Sequence, residues 1–241
     1  MQVNKINNLL ELFYEQYEKQ NKEDIFLQSL KEFQKKYTWE DVYSNIIKLS
    51  EEISQYIKKG ERCLLVSENR PEWMISDLSI MLSEGVTVPA YTTYLERDYE
   101  YIIDDCTPTV VIVSNKTQYN KLKNIIPKKE FIKKIIIFDY EKEHQNEIIL
   151  DIKKVFQKNH YDKKKFINLK IQRKDIACII YTSGTQGNPK GVQRNPKVSQ
   201  RMPQGIPRCP KELPWCPKGP QKITKSTPKH PPGPKKSRHT L

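Results

Sequence analysis

No apolar run in this chain approaches the roughly 20 residues that a bilayer-spanning helix needs. The opening MQVNKINNLLELFYEQYEKQ also lacks the apolar stretch of a secretory signal. Neither feature is therefore expected. No internal repeat is present, which excludes solenoid and propeller architectures. Cysteine is sparse and odd in number, at five. Cys63, Cys106 and Cys178 lie in or beside apolar segments, where a reduced thiol packs like a small hydrophobe. Cys209 and Cys216 are separated by six residues with no His nearby, a spacing that matches no common zinc pattern. A reducing cytosol fits this usage, so a cytoplasmic protein is expected, with peripheral contact at a membrane surface left open.

Acidic residues all but vanish after Val192. Residues 193–241 carry twelve Lys or Arg against the single acid Glu212, so +11 of the net +13 belongs to them and 13 − 11 leaves +2 for residues 1–192. Eleven of the sixteen prolines fall there too, with few aliphatic side chains. Such a composition cannot bury enough surface to offset its ordering entropy. Residues 193–241 are therefore expected to be a disordered, basic, Pro-rich tail. Any attraction to nucleic acid or anionic lipid attaches to this tail alone and would be non-specific.

The nearly neutral part is long enough to bury a core. Residues 1–36 form a polar lead in which Leu9, Leu10, Leu12, Phe13, Ile25, Phe26, Leu27 and Leu30 suggest short amphipathic helices. Thr38 can cap a helix from Trp39 to Lys59, with Val42, Ile46, Leu49, Ile53 and Ile57 on one face and Gly60 as the stop. Short β-branched runs then alternate with helical patterns. Strands are expected at Cys63–Val66, Val86–Ala90, Thr109–Ser114, Lys134–Phe138 and Asp175–Tyr181. Helices are expected at Pro71–Ser83, Arg97–Asp105, Gln118–Ile126 and Asn146–Gln157. Fully apolar strands such as VVIV and IIIF are those of a sheet covered by helices on both faces. The fold class is α/β, a doubly wound, mostly parallel sheet.

The chemistry is concentrated in Tyr181-Thr-Ser-Gly-Thr-Gln-Gly-Asn-Pro-Lys-Gly191, directly after the strand IACII. Gly184, Gly187 and Gly191 let backbone N–H groups approach an anion, while Thr182, Ser183 and Thr185 add hydroxyl donors and Lys190 a mobile positive charge. Each charge-assisted bond contributes roughly 1.5–3 kcal/mol, so a few would hold a polyphosphate. The spacing differs from the P-loop, in which Lys follows Gly and precedes Ser or Thr. The bland alternative is a Gly-Ser-Thr turn closing a strand.

YTSGTQGNPKGV resembles the signature of the adenylate-forming (AMP-binding) superfamily, which includes acyl-CoA synthetases, peptide-synthetase adenylation domains and luciferases. Upstream, SENRPEW, TVPAYTT and the tract ending in YIIDD are similar to the long-chain fatty acid–CoA ligase branch. The resemblance covers about Tyr37 to Val192, so residues 37–192 are expected to be the N-terminal portion of an adenylate-forming domain. It implies ATP, Mg2+ and coenzyme A as cofactors: a fatty acid carboxylate attacks the α-phosphate to give an acyl-adenylate, and the thiol of coenzyme A then displaces AMP. Carried onto this chain, the family's loop makes Thr182 the hydroxyl near magnesium. Ser183, Gly184, Thr185, Gln186 and Gly187 become the phosphate wrap, and Lys190 a mobile phosphate contact. Gln186 stands where most members have Thr. SENRPEW has a structural reading beside any substrate contact: Asn69 and Arg70 end a strand, Pro71 starts a helix and Trp73 packs.

The family's later pieces, an aromatic-Gly-x-Thr-Glu segment, a ribose-binding Asp, a hinge and a C-terminal domain with a catalytic Lys, have no counterpart here. A truncated, inert ligase is therefore expected, with no catalytic residue of its own. The change of composition at Gln193 further suggests a shifted reading frame. Two other readings stay open: a non-catalytic scaffold whose tail grips nucleic acid or anionic lipid, and another acid-activating member of the superfamily.

Overall fold

The computed structural model describes residues 8–29, 35–140, 147–167, 169, 171–182 and 190–194. The expected tail lies outside them, apart from its first two residues.

The lead begins with helix α1, Leu9–Lys19, started by the Asn8 side chain, which accepts from the Glu11 N–H at 2.9 Å. Ile25, Phe26 and Leu27 then form strand β1, Ile25–Gln28, not the expected helix. They pair antiparallel with β2, Lys36–Thr38. Aromatic stacking favours this arrangement, because it sets Phe26 on Trp39 with ring centres 3.8 Å apart. Leu10, Phe13 and Tyr17 of α1 pack in one cluster with the helices that follow, so the lead joins the main core.

Helix α2, Trp39–Ile53, starts as the sequence indicates. Thr38 Oγ1 accepts from the Asp41 N–H at 3.1 Å and Asp41 accepts from the Thr38 N–H at 2.9 Å, a reciprocal box that satisfies two otherwise unpaired donors. Val42, Ile46, Leu49 and Ile53 are fully buried. The helix stops six residues short of Lys59. There the bonds Gln55 N–H to Glu52 C=O and Tyr56 N–H to Ile53 C=O tighten the chain to three-residue steps, and Gly60 reverses it at φ +80.

Next come β3 (Arg62–Val66), α3 (Pro71–Leu82), β4 (Val86–Ala90), α4 (Glu96–Cys106), β5 (Val110–Asn115), α5 (Lys116–Leu122) and β6 (Lys134–Asp139), close to expectation. Pro71 occupies the first turn of α3, where a missing N–H costs nothing. Gly85 is required between α3 and β4, since a Cβ there would lie 2.7 Å from Ile57 Cδ1 and 3.2 Å from the Ile80 carbonyl. The helix expected over Asn146–Gln157 is instead strand β7 (Ile149–Asp151) followed by the short α6 (Ile152–Phe156). Ile149–Asp151 are drawn into the sheet by pairing with Ile135–Ile137, and Asp151 caps α6 by accepting from the Lys153 N–H at 2.9 Å. Strand β8 runs Cys178–Thr182, starting later than Asp175 because the Asp175 carboxylate closes a turn on the Gln172 N–H and binds Lys59 at 2.8 Å. Strand β9 is Lys190–Arg194.

The seven-stranded sheet has the order β7-β6-β5-β3-β4-β8-β9, parallel except for β9, which runs antiparallel to β8. Helices α1, α2, α3 and α6 cover one face, where Val42, Ile75 and Ile112 are buried. Helices α4 and α5 cover the other, over Leu64, Val88 and Val111. This is the doubly wound, mostly parallel arrangement. The side chains of Cys63 and Cys106 are buried and that of Cys178 is half-buried. Burial pushes the Cys106 thiol up to about 12, so it stays protonated at neutral pH. Among the described residues no helix is long and apolar enough to cross a membrane.

Candidate functional site

The glycine-rich segment is framed by a hairpin at the carboxyl edge of the parallel sheet. Tyr181 faces Gly191 and Thr182 faces Lys190 across β8 and β9. The backbone therefore leaves and re-enters the sheet at adjacent points. Ser183, Gly184, Thr185, Gln186 and Gly187 lie outside the described residues. Thr182 is exposed at the mouth of the loop, and Lys190 is the first residue of the returning strand.

Tyr181 is the last buried residue before the loop, at 2% exposure. Its hydroxyl donates to Asp105 near the end of α4. Burial, reinforced by that bond, pushes the phenol well above its ordinary value, so the proton stays on oxygen. Gly191 also has a packing role. It lies in a strand, and a Cβ there would come within 3.3 Å of Tyr181 Cζ and 3.1 Å of Ile179 Cγ2, so the absent side chain makes room for the ring.

A second polar cluster lies at the carboxyl ends of β3 and β6, in a crevice of 1050 Å³ lined in part by Glu68, Asn69, Arg70, Asn115 and Asp139. The sheet order reverses between β3 and β5, the place where open α/β sheets commonly bind ligands. Here the charges are already matched. Arg70 reaches Glu72 at 2.9 Å and Asp139 at 2.7 Å, Lys35 reaches Glu72 at 2.8 Å, and Tyr37 donates to Glu72 at 3.0 Å. Burial opposes ionisation of Glu72, but the bonds from Arg70 and Lys35 outweigh it and hold the carboxyl at about 2. Strand β3 ends at Val66, so Asn69 and Arg70 belong to the connection and not to the strand, and Arg70 stands at the N-cap of α3. Pro71 starts the helix and Trp73 packs on the core, the structural roles read from SENRPEW. No signal in sequence spacing links Arg70 to Asp139, 69 residues away.

For a divalent cation the described residues offer little. Thr182 supplies one exposed hydroxyl, and no group of three His, Cys, Asp or Glu side chains among the described residues could hold a metal ion.

The fold defines an α/β class of protein with a mostly parallel sheet, in which a Gly-, Ser- and Thr-rich stretch of sequence falls between the paired strands β8 and β9. The family described as AMP-binding enzyme matches residues 13–197, and the chain belongs to it. Among its relatives, long chain acyl-CoA synthetase 4 of Arabidopsis thaliana is 29% identical over 171 residues, covering 65% of this chain and 25% of that protein. Long-chain-fatty-acid–CoA ligase ACSBG1 of Bos taurus is 25% identical over 168 residues, covering 66% and 23%. The chain thus spans about a quarter of the length of the curated relatives it matches. Solved structures share the fold. The anthranilate CoA ligase AuaEII with anthranoyl-AMP superposes at a TM-score of 0.65 with 19% identity, over 78% of this chain and 34% of the other. A long-chain-fatty-acid-CoA ligase (FadD1) from Archaeoglobus fulgidus does so at 0.64 with 20% identity, over 78% and 37%.

Proposed function

We propose that this chain is the N-terminal portion of an ATP-dependent acid–CoA ligase of the long-chain fatty acid branch, and that residues 182–190 bind the phosphates of ATP. The observation that carries the reading is the hairpin that brings Thr182 opposite Lys190 at the carboxyl edge of the parallel sheet, closing a segment dense in phosphate-type donors. Magnesium, delivered with ATP, would meet Thr182. The acyl group and coenzyme A would be met by parts that the relatives have and these residues do not include. When bound, ATP supplies the leaving group that activates a carboxylate. The role of this chain is to hold and neutralise the phosphates through backbone N–H groups, hydroxyls and Lys190. Alone, the chain should release no pyrophosphate above a blank with palmitate, ATP and magnesium.

Affinity should be led by phosphate, ranking triphosphate above monophosphate with little preference for adenine over guanine. Lys190→Ala should weaken ATP binding by a factor of roughly 10 to 100, the loss of one charge-assisted contact of about 1.5–3 kcal/mol. Lys36→Ala, which removes equal charge from the lead, should leave it nearly unchanged. Calorimetry on the 241-residue chain compares the two, and equal losses would show diffuse attraction in place of a specific cradle.

A further inference from the structure

We propose that Asp105 and Tyr181 form a clamp on the base of the phosphate loop, which makes Asp105 a positioning residue for phosphate binding; this rests on the reading of residues 182–190 given above. The strand that launches the loop is weakly tied to the sheet on its inner side. Strand β3 pairs with β4 at five positions, whereas β4 and β8 are in ladder register at one, Thr87 with Cys178, at the start of β8. Four residues later, where the strand ends, the recorded register partner is the hairpin strand β9, and β9 is itself the sheet edge. A hairpin at an edge can fray or slide unless something else sets its register.

Tyr181 supplies that hold from the side chain. Its ring lies on Gly191, the residue paired with it across the hairpin, and its hydroxyl donates to Asp105. One side chain therefore touches both strands at the loop base and ties them to α4. The other end of the tether is firm. Arg62, in the central strand β3, donates to the Cys106 carbonyl at 2.6 Å and also to Thr107, capping the last turn of α4. The position of Asp105 also points to a purpose. A carboxylate in the last turn of a helix faces the negative end of the dipole, and no basic residue stands in that turn. Its neighbour Asp104 is matched by Lys129, and Asp105 is matched by the Tyr181 hydroxyl.

The test uses the 241-residue chain and four variants, Tyr181→Phe, Asp105→Ala, Asp105→Asn and the double variant Tyr181→Phe/Asp105→Ala. Amide hydrogen exchange is followed at Thr182 and Lys190–Val192, and ATP affinity by calorimetry. Tyr181→Phe and Asp105→Ala should each speed exchange at those amides and raise the Kd for ATP roughly 3- to 10-fold, with exchange in β5 unchanged. Asp105→Asn keeps an acceptor oxygen and should restore most of both. The double variant should lose no more than either single change, as expected of two groups acting through one bond. Additive losses, or exchange at the loop base equal to the parent in both single variants, would overturn the clamp. If the parent chain does not bind ATP at all, the phosphate reading of the loop falls, and exchange decides the clamp alone: faster exchange in the two single variants upholds it, unchanged exchange overturns it. If Tyr181→Phe unfolds the chain, Asp105→Ala against Asp105→Asn decides between the same two outcomes, because both variants leave the ring on Gly191.

Discussion

Replacing Glu72 by Gln should destabilise the protein at neutral pH and distinctly less in acid. The Glu72 carboxylate is 2% exposed and receives Lys35 at 2.8 Å, Arg70 at 2.9 Å and Tyr37 at 3.0 Å. These bonds outweigh the burial that opposes its charge, so the carboxyl falls from 4.5 to about 2 on folding, a difference of about 3 kcal/mol in favour of the folded state at pH 7. The sign follows from the direction of the shift. A carboxyl with a lowered folded-state value contributes fully above its unfolded value of 4.5 and loses that contribution as pH falls towards 2. Glu72→Gln preserves shape and one acceptor but removes the charge. Its deficit should therefore be about 3 kcal/mol, or roughly 6–12 °C in Tm for a folded unit of this size, at pH 7. By pH 3 roughly half of that gap should have closed, because the parent is losing the same interaction as pH falls towards 2. Thermal unfolding followed by circular dichroism at pH 7, 5, 4 and 3 measures both arms. A deficit of equal size at every pH would refute the reasoning, showing that Glu72 acts by shape and not by charge.

Gly85→Ala should cost roughly 1–3 kcal/mol, because its Cβ would overlap Ile57 Cδ1 at 2.7 Å and the neighbouring Ile80 carbonyl is backbone that cannot step aside; urea unfolding reads this as a lower midpoint, and a midpoint equal to the parent would mean the α3–β4 junction is looser than described. Limited trypsin digestion should cut first among Arg194, Lys197, Arg201 and Arg208, the outcome expected of a basic, Pro-rich tail behind a folded body. Early cleavage between Arg62 and Lys116 would refute that division.

Much of the architecture is local, and that part was legible in the chain itself. Runs such as Val110–Val113 and Ile135–Phe138 are apolar on both faces and bounded by turn residues, so they name themselves as covered parallel strands. Thr38 with Asp41, and Pro71, mark helix starts by chemistry that acts over three residues. The phosphate-type donors of residues 182–190 are likewise contiguous, so the proposal made for them rests on residue types read from the chain itself. Tertiary structure decided whatever depends on a distant partner. Ile25–Gln28 and Ile149–Asp151 are too short to announce a period; they are strands because Lys36–Thr38 and Ile135–Ile137 offer them ladders. Helix α2 ends at Ile53 because the chain must turn to feed β3, although its apolar spacing continues to Ile57. The same holds at the two polar sites. Arg70 meets Asp139 across 69 residues and Tyr181 meets Asp105 across 76. A hydrogen bond needs about 3 Å between its atoms, and only the order in which the parallel strands were laid side by side could bring residues so far apart in the chain within that reach.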